Sequence, residues 1–250
     1  MSRRDDPWLR RFHQPDEGAP ALVCFPHAGG AANSFLPLSR ALSPHLDVLA
    51  VQYPGRQDRF AEPCVDDVRA LADEVFVRLR GRGGPPPALF GHSMGAAVAY
   101  EVARRLEDDG GAVAHLFVSA ARGPAWDRPE RVHLKDDAGL LAEMRRLGGT
   151  EDALLADAEL MSLVLGMVRS DYKAIETYRH TPGTAGCPVT ALVGTHDPST
   201  STPAARSWER HTRGAFRLVE FAGGHFYLKE HWAGVAAAIR SALSPAPGFR

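Results

Sequence analysis

The sequence predicts an α/β protein with a mainly parallel, doubly wound sheet and a helical insertion. Short apolar runs alternate with longer helical patterns, most of the short runs are continuously apolar, and one connection is much longer than a crossover needs. Repeated strand-then-helix order gives parallel strands, and continuously apolar strands are typical of a sheet covered on both faces. The length suits one such domain, so we expect residues 1–250 to form a single unit.

The elements follow in chain order. The predicted strands are short apolar runs with turn residues around them: Ala21–Phe25, Asp47–Tyr53, Ala88–Phe90, His115–Ala120, Val189–Gly194 and Phe216–Phe221. The predicted helices between and after them show helical spacing of apolar residues: Asn33–Leu42, Val65–Leu79, Met94–Asp108, Pro203–His211 and about Phe226 to Leu243.

The long connection predicts a helical lid. Between Ala120 and Val189 lie 68 residues, whereas a crossover needs about 12 or more, so we expect an insertion at about 123–186. One helix should follow Asp136 and stop at Gly148, and a second should run from about 160 to 175. On the second helix Met161 and Leu165 widen the apolar face. That face either packs on the core or roofs an apolar substrate tunnel, and one helix can do both.

Composition excludes several functional classes. Lys and Arg total 29 against 30 Asp and Glu, for a net charge of −1, which argues against a nucleic-acid partner. No run of 18 apolar residues predicts a membrane span, and the first residues do not resemble a signal peptide. Three widely spaced cysteines, Cys24, Cys64 and Cys187, are expected to be free thiols. We therefore expect a cytoplasmic monomer.

The main chemical signal is Gly91-His92-Ser93-Met94-Gly95, which follows a predicted strand directly and opens a predicted helix. This is the G-x-S-x-G pattern in the strand–turn–helix context that a nucleophilic serine requires. The glycines allow the strand and helix to approach closely, and the helix N-terminus favours developing negative charge. The pattern predicts Ser93 as the nucleophile.

A nucleophilic serine needs a base and an orienting acid, which in this fold class follow it in the order acid, then histidine. Asp197 follows the strand Val189–Gly194, and His225 follows the last predicted strand. Both loops should lie at the carboxyl edge of the sheet beside the elbow. The sequence therefore predicts a catalytic triad of Ser93, Asp197 and His225. No histidine pattern indicates a metal site.

Two backbone N–H groups should form an oxyanion hole. One is expected from Met94, the residue after the nucleophile, and the other from Ala28 in the glycine-rich loop Pro26–Gly30. His27 in the same loop is either structural or a substrate contact.

Several motifs follow one another along the chain: Phe25-Pro26-His27-Ala28-Gly29-Gly30, Val51-Gln52-Tyr53-Pro54-Gly55-Arg56, the elbow, Leu147-Gly148-Gly149-Thr150, Asp171-Tyr172, Glu176-Thr177-Tyr178-Arg179 and Gly223-Gly224-His225-Phe226. Together they make the sequence resemble the type II thioesterases that accompany polyketide and nonribosomal peptide synthases, a branch of the α/β-hydrolases.

The resemblance implies hydrolysis of acyl thioesters on the phosphopantetheine arm of acyl or peptidyl carrier proteins, to clear aberrant or stalled groups. No cofactor is implied for the enzyme itself. The candidate substrate-binding residues are His27, Met161, Leu165 and Tyr172. Because carrier proteins are usually acidic, a basic patch could face them, and the candidates for it are Arg56, Arg59, Arg145 and Arg146.

Three alternatives stay open on the residues alone. The same triad would serve a general carboxylester hydrolase acting on small lipophilic esters, or an amide hydrolase. A non-catalytic binding protein of this fold is a third possibility, although it would have no need of all three triad side chains.

Overall fold

The structure, a computed structural model, describes the backbone of residues 6–148 and 158–244, and their side chains except those of 158–163. In these ranges seven strands form one sheet in the order β1-β3-β2-β4-β5-β6-β7. They are β1 (Leu9–Arg11), β2 (Ala21–Phe25), β3 (Asp47–Val51), β4 (Ala88–His92), β5 (His115–Ser119), β6 (Val189–Gly194) and β7 (Phe216–Phe221). Neighbouring strands from β2 onward are parallel, so the predicted fold class is confirmed.

The α-helices connect and cover these strands. They are α1 (Leu36–Leu42), α2 (Val68–Leu79), α3 (Met94–Asp108), α4 (Asp137–Leu147), α5 (Ala158–Thr177), α6 (Thr202–Arg206) and α7 (Leu228–Leu243). Helix α2 begins three residues later than predicted because the Asp67 side chain caps it, accepting from the N–H groups of Arg69 and Ala70. Helix α4 ends at Gly148, whose φ of 73° forms a left-handed cap.

Both faces of the sheet are buried. Strands β3, β4, β5 and β6 are buried along their whole length, which explains their continuously apolar sequences. Helices α2 and α3 cover one face and α1 and α7 the other. The edge strand β1, which the sequence pattern did not predict, pairs antiparallel with β3 through only three residues.

The strand order changes direction around β2, which lies between β3 and β4. Loops that follow the carboxyl ends of strands on either side of such a point diverge and leave a crevice where ligands bind. Here the loop after β2 contains Ala28, and the turn after β4 contains Ser93. The insertion contributes α4 and α5 above this edge, joined by an apolar cluster of their own: Val132, Leu140, Met144, Leu165 and Val168.

Candidate active site

Ser93 occupies a strained turn between β4 and α3. Its backbone has φ 54° and ψ −118°, a conformation that side-chain-bearing residues rarely adopt. A Cβ atom at Gly91 would lie 2.3 Å from the Gly95 carbonyl oxygen, and one at Gly95 would lie 2.1 Å from the Phe25 carbonyl oxygen. Both positions therefore require glycine. The turn exposes the Ser93 hydroxyl at the start of a helix, as the motif predicts.

Ser93, His225 and Asp197 form a hydrogen-bonded line. His225 Nε2 lies 2.9 Å from Ser93 Oγ, and His225 Nδ1 lies 2.9 Å from Asp197 Oδ2. The other carboxylate oxygen, Oδ1, accepts from the N–H groups of Ser199 (2.7 Å) and Thr200 (3.1 Å). Because the Asp197 side chain is fully buried and both its oxygens are occupied, the imidazole is held in one orientation. A hydroxyl, an imidazole and a carboxylate in this line can activate the hydroxyl as a nucleophile.

The loops after β6 and β7 meet because glycine permits close contact. A Cβ at Gly194 would lie 2.3 Å from the Gly224 carbonyl oxygen, and His196 N–H donates to the Gly223 carbonyl (2.9 Å). Gly223 itself has φ 118°. These contacts bring the acid and the histidine together from loops 28 residues apart in the chain.

Two further histidines lie beside the triad. His92 is almost fully buried, with Nδ1 2.9 Å from Ser119 Oγ, and its ring centroid lies 5.4 Å from that of His225. His27 packs edge-on against Phe226, with ring centroids 4.8 Å apart. Burial first, and then the nearby His225, lower the pKa of His27 to about 3 and that of His92 well below its usual value. Both rings are therefore neutral near pH 7.

The N–H groups of Ala28 and Met94 are the predicted oxyanion donors, and both residues line the same chamber as Ser93. In the described part of the chain neither N–H has a hydrogen-bond acceptor. Unpaired backbone donors beside a nucleophile are what an oxyanion hole requires.

A buried ion pair fixes the loop that contains Ala28. Arg56 Nη1 lies 2.7 Å from Asp171 Oδ2, and Arg56 Nη2 lies 2.9 Å from Asp171 Oδ1. Gly29 N–H donates to the same Oδ2 (2.7 Å), and Arg56 Nη1 also donates to the Gly30 carbonyl (3.0 Å). Since Asp171 belongs to α5, the lid helix holds the glycines next to Ala28 in place.

This ion pair corrects one prediction and gives a role to Asp171, which the sequence analysis named only as part of a motif. Arg56 and Arg59 are 3% and 6% exposed, so they cannot form a surface patch for a carrier protein. Arg59 instead donates to the Gln52 carbonyl (2.8 Å). The signal for Asp171 was present: an aspartate at helical spacing within the apolar face of α5 must find a buried partner.

Two neighbouring chambers share lining residues such as Ala28 and Phe226. The smaller, about 90 Å³, is lined by Ser93 and His225, and the larger, about 970 Å³, extends beneath the lid. His27 and Tyr172, both candidate substrate contacts, line both chambers. Leu165 is buried in the apolar cluster of the lid and lines neither chamber, so its substrate contact stays a prediction. The side chain of Met161 lies outside the described residues.

Two other kinds of feature are absent from the described residues. No group of three His, Cys, Asp or Glu side chains there could hold a metal ion. No helix in the described ranges is long and apolar enough to span a membrane.

The family comparison agrees with the fold. Residues 20–243 match the model of the family described as "Thioesterase domain". The chain is 46% identical over 254 residues to a probable cadicidin biosynthesis thioesterase of Streptomyces griseus, a match that covers 97% of this chain and 70% of the relative. It is 48% identical over 232 residues to the thioesterase PikA5 of Streptomyces venezuelae, covering 90% and 81%.

Solved structures give the same result. The type II thioesterase BorB from the borrelidin biosynthetic cluster superposes with a TM-score of 0.90 at 47% identity, covering 96% of this chain and 99% of BorB. YbtT, a type II thioesterase from the yersiniabactin pathway, superposes with a TM-score of 0.84 at 28% identity, covering 93% and 98%. The chain therefore belongs to the thioesterase family of α/β-hydrolases, and within it to the type II enzymes.

Proposed function

We propose that this chain hydrolyses acyl thioesters carried on the phosphopantetheine arm of a carrier protein, and so removes stalled or wrongly loaded acyl groups from a synthase. The observation that supports it most is the line from Ser93 through His225 to Asp197, which opens into a chamber of a type II thioesterase fold. The similar type II thioesterases of biosynthetic clusters support the editing role.

In the proposed reaction, Ser93 Oγ attacks the thioester carbonyl while His225 Nε2 takes its proton. The N–H groups of Ala28 and Met94 stabilise the oxyanion, and Asp197 stabilises the imidazolium. As the C–S bond breaks, His225 protonates the leaving thiolate. Water then attacks the acyl-serine, losing a proton to His225, which returns it to Ser93. The products are a carboxylic acid and the free thiol, and no enzyme-bound cofactor is needed.

The two chambers suggest how a thioester would be divided between them. The smaller chamber contains Ser93 and would take the acyl group. The larger chamber reaches the surface, because Phe60, which lines it, is 54% exposed. It would admit the pantetheine arm past His27 and Phe226, which line both chambers.

Carrier docking next to the lid is also a proposal. Of the four arginines that the sequence analysis considered, Arg145 and Arg146 are exposed at the end of α4. Arg146 is paired with Glu143 (2.6 Å), whereas Arg145 has no side-chain partner among the described residues. Arg145 is therefore the better candidate to contact an acidic carrier surface.

The test compares one acyl group on three leaving groups: a phosphopantetheinyl carrier protein, a small thiol and an alcohol. Ser93→Ala is the blank, and Ser241→Ala, an exposed serine of α7 that lines neither chamber, is the matched control. We expect strong preference for the carrier-bound thioester, with a loss of about 10⁶-fold in Ser93→Ala alone. Equal or faster turnover of the oxygen ester would refute the proposal and indicate a general carboxylester hydrolase, which the comparisons do not favour.

A further inference from the structure

One arginine of the smaller chamber lacks a charged partner. Arg128 lines this chamber together with Ser93 and Met94. Its Nε is buried and has no hydrogen-bond partner, and its one side-chain hydrogen bond among the described residues runs from Nη2 to the Arg122 carbonyl, at 3.3 Å. In the ranges that the structure describes, no carboxylate lies within ion-pair distance of this guanidinium.

The other charged groups of the chamber are already satisfied. Arg122 pairs with Glu130 (2.5 Å), and Arg146 pairs with Glu143 (2.6 Å). Glu176 accepts a backbone N–H and contacts the imidazole of a neighbouring histidine. A small rearrangement therefore cannot bring a carboxylate of this chamber to Arg128 without breaking an existing contact.

Buried hydrogen-bond donors normally have an acceptor. A buried donor without one, next to a nucleophile, indicates that a ligand supplies the acceptor. Burial, followed by the charge of Arg122, lowers the pKa of Arg128 to about 10, so the side chain is still a cation at neutral pH. A guanidinium offers several N–H donors in a fixed plane, which suits an oxygen acceptor.

We propose that Arg128 binds an oxygen atom of the acyl group, beyond the thioester carbonyl, and so selects oxygenated acyl groups of the 3-oxoacyl or 3-hydroxyacyl kind over plain alkyl chains. This inference rests on the proposed function, since it assumes that the smaller chamber holds the acyl group. The chamber is small, about 90 Å³, and both Ser93 and Arg128 line it. We therefore expect an acyl oxygen that reaches Arg128 to lie only a few carbons from the carbonyl.

The experiment measures kcat/KM for butanoyl and 3-oxobutanoyl thioesters of N-acetylcysteamine, each divided by its uncatalysed hydrolysis rate. The wild type should prefer the 3-oxo substrate by about tenfold or more, as expected for a hydrogen bond from a charged donor. Arg128→Met should lose that preference while it still hydrolyses the butanoyl thioester. Arg131→Met is the matched control, because the exposed Arg131 donates to the Arg128 carbonyl in the same loop without lining the chamber.

Either of two results would overturn the inference: no 3-oxo preference in the wild type, or an unchanged preference in Arg128→Met. If Arg128→Met does not fold, the ratio of the wild-type kcat/KM values for the 3-oxobutanoyl and butanoyl thioesters decides whether the inference holds. Failure of the proposed function is a separate result. In that case the wild type would hydrolyse ethyl esters as fast as thioesters or faster, and the same two acyl groups compared as ethyl esters would still test Arg128.

Discussion

Replacing Asp171 with asparagine tests whether the lid helix holds the oxyanion loop. The two side chains have nearly the same shape, so the substitution leaves no cavity. It removes the charge that faces Arg56, and an amide has only one oxygen where the carboxylate accepts from Arg56 and from Gly29 N–H. Both partners of the pair are almost fully buried, at 3% and 0% exposed.

The expected loss of stability follows from this burial. Removing one member of a buried ion pair leaves the other charge unpaired and costs about 3–5 kcal/mol. For a protein of this length each kcal/mol lowers Tm by roughly 2–4 °C, so Tm should fall by roughly 6–20 °C. The free energy of unfolding of a folded protein is normally about 5–15 kcal/mol. Asp171→Asn should therefore remain folded at 20 °C.

The expected loss of activity is a separate measurement. Loss of one oxyanion donor costs about 10²–10³ in kcat. Because Asp171→Asn loosens Gly29 next to the donor Ala28, kcat should fall by about 10- to 1,000-fold, and KM should change much less. Steady-state hydrolysis of an acyl thioester, together with urea unfolding, measures both effects.

Asp66→Asn is the matched control. It removes the carboxylate that pairs with Lys173 (2.5 Å). Lys173 lies on α5, as Asp171 does, but the side chains of Asp66 and Lys173 are both about half exposed. Such pairs contribute about 0–1 kcal/mol, so this variant should keep its kcat and nearly all its stability. If Asp171→Asn loses stability but keeps its kcat within twofold, the pair is structural only, and the idea that it positions the oxyanion loop fails.

Two further predictions concern packing and pH. Gly95→Ala would place a Cβ 2.1 Å from the Phe25 carbonyl oxygen and should lower Tm strongly and abolish hydrolysis, whereas Gly166→Ala, with no atom within 4 Å, should be neutral or stabilising. A Tm for Gly95→Ala within 2 °C of wild type would contradict this. Burial lowers the pKa of His115 to about 4 from about 6.5 in the unfolded chain. Between these values only the unfolded chain binds the proton, so stability falls as pH falls from about 6.5 to 4, by up to about 1.4 kcal/mol per pH unit. His115→Gln should make urea-unfolding free energies less dependent on pH in that window, and an unchanged slope would refute the assignment.

Local sequence patterns predicted the elbow and the strand ends because these features depend on residues that are close together in the chain. The glycines around Ser93 are required by contacts within one turn, and Asp197 and His225 follow strands whose continuously apolar sequences are easy to recognise. The short strand Leu9–Arg11 has no such pattern. Its backbone pairs with β3, but its side chains are only half-buried or exposed, so hydrophobic periodicity gives no sign of it.

Tertiary contacts explain the surroundings of Leu165 and Arg56, which local sequence patterns did not predict. Leu165 and its helical neighbours share one apolar face, and periodicity cannot distinguish the part that packs on α4 from the part that lines a chamber. Arg56 follows a glycine in a loop, a position typical of an exposed arginine. Its partner Asp171 lies 115 residues away, so the local sequence gives no sign of the buried pair.

The same pair limits how the lid can open. Moving the part of α5 around Asp171 away from the sheet would leave Arg56 charged, buried and without its carboxylate, at a cost of about 3–5 kcal/mol. It would also remove the acceptor of Gly29 N–H and so disturb the loop that contains Ala28. An opening that keeps the oxyanion loop intact must therefore leave this part of α5 in place. The widening needed to admit a substrate must then come from other parts of the insertion.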